Sequence, residues 1–438
     1  MQFKNEIKNK IFSLVKEYYQ KFMRPSPDGN IPVSGKKFDD QELCSVINAV
    51  LDGWWTEGEV TKGFEKKFNQ FLAIKHTLVV NSGSSANFIA LKTLTSQKLG
   101  ERRIKKGDEI ITVAAGFPTT INPIIECGCT PVFCDIEIQT YSINTQELND
   151  AISPKTRAIF LAHTLGNPFD LHEIKKFCLE KDLWLIEDAC DALGSLYDGK
   201  YVGTYGDLGT FSFYPAHQIT MGEGGAVVTK DDGLIKIARS IRDWGRDCWC
   251  DTGKDNTCGK RFEWQLGNLP NGYDHKYIYS EIGYNLKNTD LNVAIGLAQL
   301  DKLEEFIKLR RRNFELLFIK LKKFEAVFYL PRNTTNSIPC WFGFPITLKP
   351  NVPFTRLDIL KYLEKNKIAT RLLFAGNIIR QPYFIDYKIN YRIVKDLKNT
   401  DYIMNNTFWI GINPLITKDN IDFIEKILES FLNEYTKN

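Results

Sequence analysis

The sequence predicts an α/β protein with a large domain on a mainly parallel seven-stranded sheet and a smaller C-terminal α+β domain. Three observations predict it. From about residue 40 onward, short apolar runs recur with helical patterns between them, as expected of strands buried on both faces of a parallel sheet. At 438 residues the chain exceeds what one compact core usually holds, so a second, smaller domain is expected. Hydrophobic content of 43% and charged content of 25% are those of an ordinary globular protein.

Residues 1–24 read as an amphipathic helix with Ile7, Ile11, Leu14, Val15 and Tyr18 on one face, broken by Arg24-Pro-Ser-Pro-Asp-Gly-Asn30. The strands are Thr77–Val80, Glu109–Val113, Pro131–Asp135, Arg157–Leu161, Leu183–Glu187, Gly209–Phe213 and Gly225–Thr229. A long helical stretch, about 289–325, leads into the smaller domain. The expected division is an N-terminal helix and linker over 1–34, the large domain over 35–325 and the small domain over 326–438.

A net charge of +4 without a block of like charge argues against nucleic acid as a main partner. No run approaches the roughly 18 apolar residues that cross a bilayer, and Met1–Lys10 is too polar for a signal peptide. A cytoplasmic protein with no membrane partner is expected. Ten cysteines in a reducing compartment then point to metal ligation, redox chemistry or plain burial.

In such sheets ligands sit at the carboxyl ends of strands. Asn81-Ser-Gly-Ser-Ser-Ala-Asn87 follows the first strand and opens a helix, where small residues and free N–H groups accept a phosphate; an ordinary helix cap reads the same way. Asp188 ends the fifth apolar run and could hold a protonated ring nitrogen or simply cap the next helix. Phe211-Ser-Phe-Tyr-Pro-Ala-His217 and Gly222-Glu-Gly-Gly225 follow at the next strands.

The order of Gly-Ser-Ser, Phe117, Asp188, Ser212 and Gly-Glu-Gly-Gly resembles the DegT/DnrJ/EryC/StrS sugar aminotransferases, whose fold is aspartate-aminotransferase-like (PLP fold type I). The resemblance spans nearly the whole chain after residue 35. It implies that Gly83, Ser84 and Ser212 hold the phosphate of pyridoxamine or pyridoxal 5'-phosphate, that Phe117 stacks on the pyridine and that Asp188 pairs with its nitrogen. Gly283-Tyr-Asn285 matches the stretch through which a neighbouring subunit supplies an asparagine to the phosphate, implying a homodimer with Asn285 as that residue.

One departure is informative. Those aminotransferases carry lysine five residues after the serine; here that position is His217, and no lysine occurs between Lys200 and Lys230. An imidazole cannot tether pyridoxal phosphate covalently, but it moves protons near neutral pH. His217 is therefore the candidate catalytic base.

The second constellation is Cys248-Trp-Cys250 and Cys258, with Cys190 two residues beyond Asp188. Four thiolates suit zinc or an iron–sulfur cluster, and the spacing alone does not choose between them, zinc being the commoner metal. The pattern of 57, one and seven intervening residues resembles the CDP-4-keto-6-deoxy-D-glucose 3-dehydrases of 3,6-dideoxyhexose biosynthesis. Their cysteines in this pattern hold a [2Fe–2S] cluster, so the resemblance implies Cys190, Cys248, Cys250 and Cys258 as ligands. It further implies a CDP-linked 4-keto-6-deoxyhexose substrate that loses its carbon 3 hydroxyl, and a flavin and iron–sulfur, NADH-dependent reductase as the electron source. Cys127, Cys129, Cys134, Cys44, Cys178 and Cys340 read as packing residues. Asp191 and Tyr214 are candidates to adjust the site, and Phe342 either lines a sugar pocket or belongs to an aromatic strand. The rivals are a cluster-free dehydratase acting on a GDP-linked sugar, an aminotransferase disfavoured by the missing lysine, and a non-catalytic sensor that kept the pocket.

Overall fold

The computed structural model describes residues 2–23, 29–248, 250 and 252–436. The large sheet contains strands β1 (His76–Val80), β2 (Glu109–Val113), β3 (Thr130–Cys134), β4 (Thr156–Ala162), β5 (Trp184–Asp188), β6 (Leu208–Ser212) and β7 (Gly225–Thr229). A smaller antiparallel sheet holds β8 (Phe328–Tyr329), β9 (Gly343–Leu348), β10 (Thr370–Leu372) and β12 (Thr407–Gly411), ordered β8-β9-β12-β10. Between the last two in sequence, the two-residue strand β11 (Arg392–Ile393) returns to the large sheet and pairs parallel with β3.

The large sheet therefore has eight strands rather than seven, in the order β1-β7-β6-β5-β4-β2-β3-β11. A strand of two residues is too short to show alternation, which is why β11 has no sequence signal. All neighbours pair parallel except at β7, which runs antiparallel to both β1 and β6. Both faces are buried. Val80, Ile110, Phe160 and Ile186 pack on one side against helices α4 (Gly83–Thr93) and α6 (Asp232–Arg242). The alternate residues Val79, Ile111, Ile159 and Leu185 join the larger core on the other side, which runs on into the small sheet. Continuous apolar strands are the sequence form of that two-sided burial.

Helix α1 (Gln2–Tyr18) is present, but Ile7, Leu14 and Tyr18 of its predicted apolar face are exposed. The helix is anchored instead by the buried Tyr19, whose hydroxyl donates to the Phe38 carbonyl at 2.8 Å. Of the predicted chain break, Arg24–Asp28 lies outside the described residues. The stretch 289–325 divides into α7 (Asp290–Leu300) and α8 (Leu303–Leu321), followed by a short 3-10 turn. Among the described residues no helix is long and apolar enough to cross a membrane.

Candidate active site and cysteine centre

The strand ends of β1, β5 and β6 converge. Gly83, the first residue of α4, packs so closely on Ser212 that an added Cβ would lie 2.5 Å from the Ser212 Cβ and 3.1 Å from the Cys190 sulfur. The helix start is capped by Ser82, which accepts from the Ser85 amide at 3.1 Å, and Ser84 stands exposed beside it. The amides at this helix start and the Ser212 hydroxyl lie together, polar groups of the kind that accept a phosphate.

Asp188 closes β5 as a buried carboxylate. Its Oδ2 accepts from Asn87 Nδ2 and from Thr120 Oγ1, each at 2.7 Å, and Oδ1 accepts from the Cys190 amide at 3.1 Å. Asn87 is fixed in turn by the Thr210 hydroxyl, which donates to its Oδ1 at 2.5 Å. A carboxylate held this firmly at a strand end fits a protonated pyridine nitrogen. Phe117, which precedes helix α5 (Pro118–Glu126), is half-exposed, as a ring available for stacking would be.

His217 lies in the loop after β6, and its main chain is held from below. The buried Arg310 of α8 donates to the carbonyls of His217 and Phe342, both at 3.1 Å. The imidazole packs on Phe342 with ring centroids 5.2 Å apart, and Tyr214 lies at 6.5 Å. Its Nδ1 is buried, has no hydrogen-bond partner and stands 3.6 Å from Asp191 Oδ1. Burial, with the charge of Arg310 adding to it, pushes the imidazole down to about 3. Burial also pushes Asp191 up, to about 7, helped by the charge of Asp188. At neutral pH His217 is therefore uncharged, the form that accepts a proton. Phe342 is buried between His217 and Trp409 rather than lying on an open strand face.

The cysteines divide. Residues 241–247 and 278–286 form a tight ribbon, with Asp247 N donating to the Ile278 carbonyl at 2.9 Å and Trp244 N to that of Tyr284 at 2.8 Å. Cys248 and His275 leave its end side by side. Within the loop they bound, Arg261 grips Asp274 with two nitrogens at 2.9 and 2.6 Å, and its carbonyl accepts from the His275 amide at 3.0 Å. These contacts gather Cys248, Cys250 and Cys258 around the fully buried imidazole of His275. Cys190 is elsewhere, packed on Gly83 beneath Asp188, and burial and the Asp188 charge push its thiol well up. Asn285 is exposed at the base of the ribbon, bridged to Asp243. Of the packing cysteines, Cys129, Cys134, Cys178 and Cys340 are buried, while Cys44 and Cys127 are half-buried.

The model of the DegT/DnrJ/EryC1/StrS aminotransferase family matches residues 37–429. The chain belongs to that family. It is 53% identical, over 98% of both chains, to the lipopolysaccharide biosynthesis protein RfbH of Salmonella typhimurium. It is 46% identical to the dTDP-4-dehydro-2,6-dideoxy-D-glucose 3-dehydratase of Saccharopolyspora spinosa, over 98% of this chain and 92% of the relative. Among solved structures, the E. coli GDP-4-keto-6-deoxy-D-mannose-3-dehydratase with bound hydrated PLP superposes with a TM-score of 0.82. That match covers 91% of this chain and 99% of the other at 29% identity.

Within this member of the DegT/DnrJ/EryC1/StrS family, sequence reasoning missed Asn87, Thr120, Thr210, Arg310 and His275. Asn87 is the one with a usable signal, because it falls one helical turn after Gly83 and so shares its face. Arg310 opens the run Arg310-Arg-Arg312, which reads as surface charge, yet Arg310 is buried. His275 is brought to the cysteines by ribbon pairing, a long-range contact that local spacing does not carry.

Proposed function

We propose that the chain is a sugar-nucleotide 3-dehydratase of deoxysugar and O-antigen biosynthesis. Its cofactor would be pyridoxamine 5'-phosphate, and its substrate a CDP-linked 4-keto-6-deoxyhexose. The observation that carries the reading is His217: a half-buried, neutral imidazole whose Nδ1 is backed by Asp191, in a loop whose other residues suit a pyridoxal-type cofactor. The names of the dTDP-sugar relative and of the GDP-sugar structure, both 3-dehydratases, support the reaction class and leave the nucleotide open.

Gly83, Ser84 and Ser212 would hold the phosphate, Phe117 would cover one face of the ring and Asp188 would keep the ring nitrogen protonated. Bound there, the cofactor supplies an amine for the sugar's carbonyl at carbon 4 and a ring that holds negative charge. His217 takes a proton at Nε2, since Nδ1 is buried against Asp191. Asp191, once ionised, would offset the positive charge at 3.6 Å, and the imidazolium would return a proton as the carbon 3 hydroxyl departs. Completing a 3-deoxy sugar requires two electrons. A [2Fe–2S] cluster at the cysteine centre, fed by a flavin and iron–sulfur, NADH-dependent reductase, would deliver them singly. The exposed Tyr277, Tyr279, Ile282 and Tyr284 on the ribbon that carries Asn285 support a homodimer built across it.

The test uses the protein loaded with pyridoxamine phosphate in ¹⁸O-labelled water, offered CDP-, dTDP- and GDP-linked 4-keto-6-deoxyhexoses in parallel. Label should enter carbon 3 of the CDP sugar fastest. Faster exchange on another nucleotide sugar corrects the substrate, and no exchange on any of the three sinks the reaction.

A further inference from the structure

The edge of the large sheet opposite the candidate active site carries a second group of charged side chains. β6 and β7 pair with Ser212 opposite Gly225 at the carboxyl edge and with Gly209 opposite Val228 towards the other. Lys230, which follows β7, therefore lies at the far edge from His217 and Asp188. There a cavity of about 390 Å³ is lined by Lys175, Lys176, Lys200, Lys230, Tyr205 and Leu179. Among the described residues Glu180 is the one carboxylate on its wall, and none of the four lysines forms an ion pair.

Two of the ammoniums are tethered. Lys175 Nζ donates to the Tyr205 carbonyl at 3.0 Å, and Lys230 Nζ donates to the adjoining Thr204 carbonyl at 2.7 Å. The turn that offers these carbonyls is fixed from beneath. Gly203, Tyr205 and Gly206 donate their N–H groups to the buried Glu187 carboxylate at 2.8, 2.7 and 2.6 Å. An ammonium has three donors, so each lysine keeps two after bonding its carbonyl. Like charges on neighbouring anchors repel. Burial, with the charges of Lys175 and Lys200 adding to it, pulls Lys230 below its ordinary value. A solvated lysine face needs neither a cavity nor tethers of this kind. We propose that the cavity binds a diphosphate-bearing small molecule, whose linked phosphates bridge Lys175, Lys200 and Lys230. Four cations against one carboxylate suit a multiply charged anion, and lysine takes phosphate as a point charge. The volume falls within the roughly 300–1,000 Å³ of small-molecule sites. Exposed Leu179 and the Tyr205 ring, whose centroid is 5.9 Å from Lys175 Nζ, form an apolar wall for whatever group the phosphates carry.

The test reads each lysine separately. Full-length protein is treated with an acetylating reagent, with and without pyrophosphate at matched ionic strength, and mass spectrometry follows the acetylation rate of every lysine. With pyrophosphate at about ten times its Kd, a covered ammonium should react roughly tenfold more slowly by mass action. Lys175, Lys200 and Lys230 should show that protection, and Lys426 on the C-terminal helix Lys418–Thr436 should show none. In Lys175→Gln/Lys230→Gln pyrophosphate should no longer protect Lys200, while the thermal melt stays close to the parent's. Equal rates with and without pyrophosphate in the parent overturn the site. Protection that spreads evenly to Lys426 overturns it as well, as does protection of Lys200 that survives the double substitution.

Discussion

His217 and Asp191 are pushed in opposite directions by the same burial, and that has a consequence for stability. The imidazole binds its proton only near pH 3 in the folded chain, against 6.5 when exposed. Between those values the unfolded chain holds more protons, so the contribution of His217 is lost as pH falls. Asp191 is raised from 3.8 to about 7, so the folded chain holds the extra proton and its contribution is lost as pH rises through that range. From about pH 4 to 6.5 the two slopes oppose each other. His217→Asn should therefore lose stability with rising pH relative to the parent, and Asp191→Asn should gain it. Denaturant titrations at several pH values read this directly, and parallel slopes in all three proteins would contradict the pairing. In activity, His217→Asn should keep cofactor binding, because the phosphate and ring contacts lie on other residues. Loss of the carbon 3 hydroxyl should slow roughly 10²–10⁴-fold, the usual contribution of a placed base.

At the scale of elements, strand ends and the ribbon contribute differently. The ends of β1, β5 and β6 were legible, because a strand buried on both faces announces itself as an apolar run and its last residue marks the ligand edge. That marked Gly83, Asp188 and Ser212 as strand-end candidates, and the resemblance to the sugar aminotransferases grouped them at one cofactor. The ribbon could not be read in this way, since residues 243–247 and 278–285 carry no apolar run that marks a strand and are separated by a long loop. What holds it is a close crossing. Gly245 has φ +83°, and a Cβ there would lie 1.9 Å from the Glu281 carbonyl oxygen. Gly245→Ala should open the ribbon and part Cys248 from His275, with metal content falling sharply. The main thermal transition should change little, because the sheet core lies elsewhere. Metal analysis and a circular dichroism melt check both halves, and full metal retention would show that the ribbon does not build the site.

At the scale of the whole molecule, the residues proposed for proton chemistry and those proposed for electron chemistry stand on separate elements. His217, Asp188, Asp191 and the proposed phosphate site at Gly83 and Ser212 sit at the carboxyl edge of the large sheet, while the cysteines gathered on His275 lie at the end of the ribbon beyond α6. Each can therefore be removed without the other. Cys250→Ser replaces a soft thiolate with a weak donor and should lose the metal. It leaves His217, Asp188 and Gly83 untouched, so exchange of the carbon 3 oxygen with water should continue at a rate near the parent's. Net 3-deoxy sugar formation with the reductase should stop, because the electrons then have no relay to the sugar. His217→Asn should show the reverse: a fully loaded centre that the reductase still reduces, and no exchange. If Cys250→Ser instead abolishes exchange while its cofactor binding is normal, the two centres are coupled through the fold and the separation drawn from their positions is wrong.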